Sequence, residues 1–315
     1  MPPRPRRVQN MKADMARGHL AAFVTILIWG TTFISTKVLL RVFAPIEILL
    51  IRFLIGYAAL WCVRPHRLKA ADKKQEKYFA SAGLCGITLY YLLENIALTY
   101  TLASNVGVII SVAPFFTAIF AWLFLRERRP GLPFFLSFLL AMAGVLLLSF
   151  GKDTNVQINP TGDLLGVAAA VIWAAYSILT KKISSFGYHT ILTTRRIFFY
   201  GLVFMVPISL AMGVHIDPAS LADSGVLFNL LFLGLGASAL CFVTWNTAVK
   251  HLGSVKTSMY IYMVPVITAV TSALILHETI TAAAACGIVL ILAGLFLSEK
   301  RVQNRGCLIH GTGCK

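Results

Sequence analysis

The chain is poor in charge, and poorest in acid. Only 13% of its 315 residues are Asp, Glu, Lys or Arg, against about 25% in soluble globular proteins. Acids number 12, set against 28 Lys and Arg. Hydrophobic residues make up 58%, and the mean hydropathy is +0.79. A soluble interior of this size has no room for so much apolar surface, so lipid is the solvent that the composition implies. Cysteine chemistry lacks its patterns too. Cys62, Cys85, Cys241 and Cys286 fall inside apolar runs, where Cys behaves as a small hydrophobe, and Cys307 and Cys314 lie in a short polar tail. There is no CxxC, no Cys/His cluster at metal spacing and no CaaX terminus. HExxH, GxSxG and Walker sequences are missing, and the seven histidines fall near loops or tails with no i,i+4 pair. These absences argue against an enzyme, and we expect no catalytic residue, no cofactor and no metal. A net charge of +16 would point to nucleic acid in a soluble protein. Here the basic residues crowd short loops between apolar runs, the distribution that orients membrane proteins, so no nucleic-acid partner is expected.

What the sequence does contain, it contains twice. Leu20–Lys37 (LAAFVTILIWGTTFISTK) lies over Leu164–Lys181 (LLGVAAAVIWAAYSILTK) at a shift of about 144, matching Trp29 with Trp173, Thr36 with Thr180 and Lys37 with Lys181. The same shift carries Arg52 onto Arg196. A shift of about 151 carries Asn95 onto Asn246, Pro114 onto Pro265, Thr117 onto Thr268 and Glu127 onto Glu278. The chain reads as a duplicated half-protein.

Apolar runs near 20–40, 45–63, 79–101, 103–125, 132–150, 163–181, 190–212, 225–249, 255–276 and 280–297 each approach the roughly 20 residues that a helix needs to cross a bilayer. Backbone hydrogen bonding in lipid permits helices or closed barrels, and runs of this length exclude strands. The expected fold is an all-α integral membrane protein of ten transmembrane helices in two inverted five-helix repeats. Its parts are a basic tail (1–18), a first repeat (19–150), an external linker (151–162) with Pro160 and Gly162 as breakers, a second repeat (163–298) and a closing tail (299–315). The amino-terminal basic stretch and first apolar run imitate a signal peptide, but no small-x-small site follows and the run has a twin in the second half, so it is read as retained. About 22 of the 28 Lys and Arg sit in the tails and alternate loops, leaving Arg41 and Lys152 on the other side, so both termini are expected in the cytoplasm. An odd number of helices per half then turns the halves over, the inverted plan of many secondary carriers.

Ten such runs, IWGTTFISTK near the start, VAPFFTAIFAWLFLRERRP closing the fourth and MVPVITAVTSALILHETIT closing the ninth resemble the EamA family of the drug/metabolite transporter superfamily, over about residues 20–298. The resemblance implies a carrier in the plasma membrane, expected here as a bacterial inner membrane, often exporting amino acids or other small metabolites. It also implies a central cavity lined by helices one, three, four, six, eight and nine.

Several side chains suit such a cavity, each with a plainer alternative. Trp29, Phe33, Tyr90, Tyr91, Trp173, Tyr176, Trp245 and Tyr260 would line it with ring faces able to hold apolar groups or an ammonium, or else serve as packing and interfacial belt. Lys37 either attracts an anion or snorkels to the interface, and Lys181, beside Lys182, reads as snorkelling. Arg52 lies roughly 10 Å into its helix; it and Arg196 are anion or gating contacts, or structural ties to carbonyls or to Glu47. Glu94 is the carboxylate deepest in the third run, beside Asn95, whose twin is Asn246. It could exchange the proton of a coupled carrier, or tie helices together. Trp245 stands where Glu94 should have its twin. Ser104, Asn105, Ser111 and Thr257 could add polar contacts. Pro114 and Pro265 are mirrored hinge candidates, and Glu127 and Glu278 brace loops or cap helices.

Three functions remain in view: a secondary exporter of amino acids or related metabolites, driven by protons or by the cargo's own gradient; an organic-anion, sugar-phosphate or nucleotide-sugar-like exchanger; and an intramembrane enzyme or sensor. The expected partners are a small-molecule substrate and the bilayer, with the oligomeric state open and a monomer sufficient.

Overall fold

The computed structural model describes residues 5–69, 72–101, 103–127, 129–150, 159–214, 216, 218–276 and 282–310. Side chains are further not described at 5–12, 103–105 (Ser104 and Asn105 among them), 148–150, 218, 268–269, 272–276, 284 and 298–310; Glu278 lies outside the described residues altogether. The described residues form helices joined by short loops. The rods are α1 (Pro5–Leu39), α2 (Pro45–Val63), α3 (Lys73–Tyr100), α4 (Ala103–Ile110 and Ala113–Leu125), α5 (Leu132–Phe150), α6 (Pro160–Ser184), α7 (Thr190–Ala211), α8 (Ser224–Leu252), α9 (Ser254–Ser258, a 3-10 turn Met259–Tyr262, then Met263–Leu276) and α10 (Ala282–His310). Among the described residues, seven helices are long and apolar enough to cross a membrane: α1 over Ala13–Leu39, α2, α3, α4 over Val106–Leu125, α6, α7 and α8. Leu132–Leu147 and Ala285–Leu297 are shorter apolar helices among the described residues.

Local chemistry explains several of the helix starts. Pro45 opens α2 while the Glu47 carboxylate accepts from the Ala44 amide at 2.8 Å, satisfying a donor that the helix leaves unpaired. Asp223 accepts from Gly225 and Val226 at the head of α8. His189 caps α7 through Nδ1, which accepts from Ile191 at 3.3 Å. Burial, Arg64 and Lys250 hold this imidazole below its ordinary pKa, which preserves the neutral acceptor the cap requires. Pro160, read above as a breaker, instead begins α6 behind Asn159, whose side chain accepts from Gly162. Helix α1 already starts at Pro5, within the basic stretch, because Arg, Lys, Ala and Met readily extend a helix already nucleated.

Packing follows the sequence repeat across the halves. α1 lies along α8, and α6 and α3, their respective counterparts, lie together likewise. α5 packs along α10. π-helical turns interrupt α3 at Leu84–Leu89 and α8 at Phe232–Leu240, about 151 residues apart. The first presses on α7 and the second on α2. Glycine makes both approaches possible: a Cβ on Gly83 would lie 2.7 Å from the Gly201 nitrogen, and one on Gly234 would lie 2.6 Å from Ile55. The main core gathers aromatic and aliphatic side chains between the halves. The outer surface carries exposed Leu54, Phe124, Leu139, Leu210, Phe228, Val289 and Phe296. Apolar exposure on that scale suits lipid and not water.

Candidate functional site

A buried aromatic cluster occupies the contact between the halves. Trp29 of α1 lies 5.2 Å from Trp173 of α6 and 5.2 Å from Trp245 of α8, and Trp173 and Trp245 are 5.5 Å apart. Tyr90 of α3 packs 4.7 Å from Trp173, and Tyr91 follows it at 4.8 Å. Against these rings lies a cavity of about 40 Å³, lined among others by Trp29, Phe33, Tyr90, Tyr91, Glu94 and Trp173. Trp245 and Tyr176 are not part of its lining; they pack on Trp29 and Trp173 respectively. The volume is about that of one water molecule, so the centre is closed to anything larger.

Two charged side chains are built into this closed centre. Glu94 is 8% exposed and accepts a long 3.4 Å hydrogen bond from the Tyr90 hydroxyl. Arg52 is 2% exposed. Its Nε donates to the Ser238 hydroxyl at 2.9 Å, joining α2 to the π turn of α8, and its guanidinium lies 4.5 Å from the centre of the Tyr91 ring. No ion pair joins Arg52 to Glu94 among the described residues; each lies against one of two neighbouring tyrosines. Burying charges with so little neutralisation is costly, and such groups in membrane proteins face partners, water or cargo.

The indole donors are unevenly served. Trp29 Nε1 donates to the Ala237 carbonyl at 3.1 Å. Trp173 and Trp245, 2% and 0% exposed, each bury Nε1 with no acceptor. A buried donor left unpaired costs about 1–3 kcal/mol, and Trp173, one of the two, lines the cavity.

The remaining residues singled out from the sequence lie elsewhere. Asn95 donates to the Pro45 carbonyl at 3.5 Å, and Asn246 accepts from Tyr176 at 3.0 Å while donating to Thr194 at 2.9 Å. Each asparagine thus ties the third helix of its half to the start of the second. Tyr260 lies 2.5 Å from His19 Nδ1, joining α9 to α1 away from the tryptophans. Lys37 is exposed and does not line the cavity. Ser111 and Thr257 bond to carbonyls of their own helices. Arg196 does not mirror Arg52: it pairs with Glu76 at 2.7 Å. Pro114 follows the break at 111–112 in α4, and Pro265 follows the 3-10 turn of α9. The two prolines therefore begin the second piece of twin broken helices.

Phe53, Phe198 and Phe242 escaped sequence reading. Phe242 is the hub, 5.2 Å from Phe198, 5.9 Å from Phe53 and 6.0 Å from both Tyr91 and Trp29. The repeat could have found it, since the shift that pairs the asparagines sets Phe242 opposite Tyr91. A larger cavity of about 650 Å³ opens where α3, α4 and α6 meet, with Arg126 and Lys182 at its polar edge and Phe120, Phe124 and Ile178 on its walls.

Comparison with known proteins gives a consistent picture. The model of the EamA-like transporter family matches residues 16–150 and again 160–299. An uncharacterized transporter of Archaeoglobus fulgidus is 28% identical, over 91% of this chain and 98% of its own length. A protein of Escherichia coli named "probable amino-acid metabolite efflux pump" is 24% identical, over 88% of this chain and 93% of its own. A solved crystal structure shares the fold at a TM-score of 0.72 and 19% identity, covering 92% of this chain and 98% of that one.

Proposed function

Since the chain belongs to the EamA-like transporter family, and is a multi-pass membrane carrier and not an enzyme, we propose that it exports amino acids or closely related zwitterions by alternating access. The observation that carries this reading is the chemistry converging on the central cavity: the Glu94 carboxylate, Trp173 with an indole N–H that has no acceptor, and walls of aromatic rings. An ammonium suits Glu94 and the ring faces. A carboxylate would supply the acceptor that Trp173 lacks, and an apolar or aromatic side chain would fit the remaining wall. The relative named for amino-acid metabolite efflux agrees with this cargo class.

The same proposal takes all ten rods as membrane spans, with both termini in the cytoplasm of a bacterial cell and the halves inverted. The loop charges and the odd helix count support it. Small-molecule pockets run to about 300–1,000 Å³, so the closed centre must open to take cargo. The cavity beside Arg126 and Lys182 then serves as the inner vestibule, its cations drawing carboxylates in. Pro114 and Pro265 are the hinges, and Glu94 is the proton site that couples export to the pH gradient. Residues 19–150 and 163–298 are the two moving units.

An organic-anion exchanger is the second reading, favoured by the burial of Arg52 beside the cavity. Reconstituted protein separates the two. Under the exporter reading, labelled amino acids cross liposomes faster with an imposed pH gradient, and Glu94→Gln removes the gradient's effect. Flux of sugar phosphates alone, lost in Arg52→Gln and unchanged in Glu94→Gln, would sink amino-acid export.

A further inference from the structure

A basic cleft between the end of α2 and the start of α7 takes no part in the carrier chemistry above. It encloses about 290 Å³, and Tyr57, Trp61, Arg67, Arg195, Arg196 and Phe199 line it. Its cations are pre-positioned. Arg195 donates through Nη1 to the Arg64 carbonyl at 2.6 Å and through Nη2 to the His66 carbonyl, and its guanidinium stands 3.9 Å from the centre of the Trp61 ring. Those partners are neutral, so the charge of Arg195 is not cancelled. Arg196 is balanced by Glu76, which also accepts from Tyr200 at 2.7 Å. Arg67 is exposed at the rim. The cleft therefore presents uncompensated positive charge on a rigid frame.

The helix faces leading away from it are apolar. Phe199, Val203, Val206 and Leu210 recur at helical spacing along α7, all exposed, and Leu54 is exposed on α2 on the face that carries Tyr57 and Trp61. Arginines and interfacial aromatics at a helix end, continued by a bare apolar stripe, match the profile of a phospholipid: an oxyanion head with hydrocarbon below it. A free phosphate would use the arginines but would have no use for the stripe. We propose that this cleft binds an anionic phospholipid, its phosphate oxygens on Arg67 and Arg195 and an acyl chain along Phe199–Leu210.

The test uses the full-length protein in neutral detergent, without a transport assay, so its outcome stands apart from the cargo assignment. Native mass spectrometry would count bound phosphatidylglycerol against phosphatidylcholine of the same chain length. The expected result is preferential retention of phosphatidylglycerol, weakened about five-fold by Arg67→Gln, as the loss of one interfacial cation implies. Arg41→Gln removes one cation from a different loop and should retain lipid like the parent. Equal retention of both lipids, or equal weakening by the two substitutions, overturns the proposal. Inorganic phosphate or glycerol phosphate displacing the lipid at equal concentration would make this a free-anion site and overturn the lipid assignment as well.

Discussion

Arg52 and Glu94 share one buried cluster without forming an ion pair, each leaning on a tyrosine. If each steadies the other through that cluster, removing one leaves the other as an uncompensated buried charge. Arg52→Met leaves the Ser238 hydroxyl without its donor and should then lower stability by about 1–3 kcal/mol, and adding Glu94→Gln should return part of it. Thermal unfolding of the two single variants and the double one measures this coupling, and strict additivity would mean that the charges do not interact. The unpaired indoles allow a sharper separation of binding from folding. Trp173→Phe removes an N–H that has no acceptor in the folded protein, which offsets part of the cavity cost of the smaller ring, so its melting temperature should fall only slightly. Under the zwitterion reading the cost appears as a raised KM with kcat little changed, because the lost contact is to the cargo itself. An unchanged KM would take Trp173 out of the binding site.

At the scale of the element, the π turns of α3 and α8 matter because each brings a glycine against the opposite half. Gly201 is the receiving surface for α3, and a Cβ there would lie 2.4 Å from Ile87. Gly201→Ala should therefore destabilise by about 1–3 kcal/mol through overpacking. Gly107→Ala, with no neighbour within 4 Å, should be neutral or mildly stabilising on the same thermal scan. The cap of α7 carries a pH signature. Because the folded His189 titrates below its unfolded value, its contribution is complete above the ordinary histidine range. It is lost as pH falls through the folded value, when the imidazolium can no longer accept from Ile191. His189→Asn keeps an acceptor and should flatten that acidic part of a stability-versus-pH profile, whereas an unaltered profile would assign the slope to other groups.

For the whole molecule, inversion is the property that the carrier cycle needs, and it can be read chemically. Arg41 and Ser185 occupy equivalent positions about 144 apart, in the loops after α1 and α6. In a background free of native cysteines, an impermeant thiol reagent should label Arg41→Cys in intact cells and Ser185→Cys only after permeabilisation. Labelling of both from one side would overturn the inverted arrangement.

Much of the architecture was legible without coordinates. Long apolar runs dictate helices because lipid offers the backbone no other partners, and internal homology marks the duplication. The helix starts at Pro45, Thr190 and Ser224 follow from local polar chemistry. Interhelix packing was not legible, because runs that are apolar on every side do not say which face meets which helix. The tertiary structure decided that Phe242 is the hub, that Asn95 and Asn246 are ties, and that Lys37 and Tyr260 stand apart from the tryptophans. It also decided that Arg52 bonds to a serine of the other half while Arg196, its sequence twin, bonds to Glu76. Duplication carries a side chain to an equivalent position, but its partners depend on what the opposing helix presents there, and the two halves have diverged in those contacts. Sequence thus determined the helices and their pairing into halves; only close packing between the halves decided which buried groups meet and which are left unpaired.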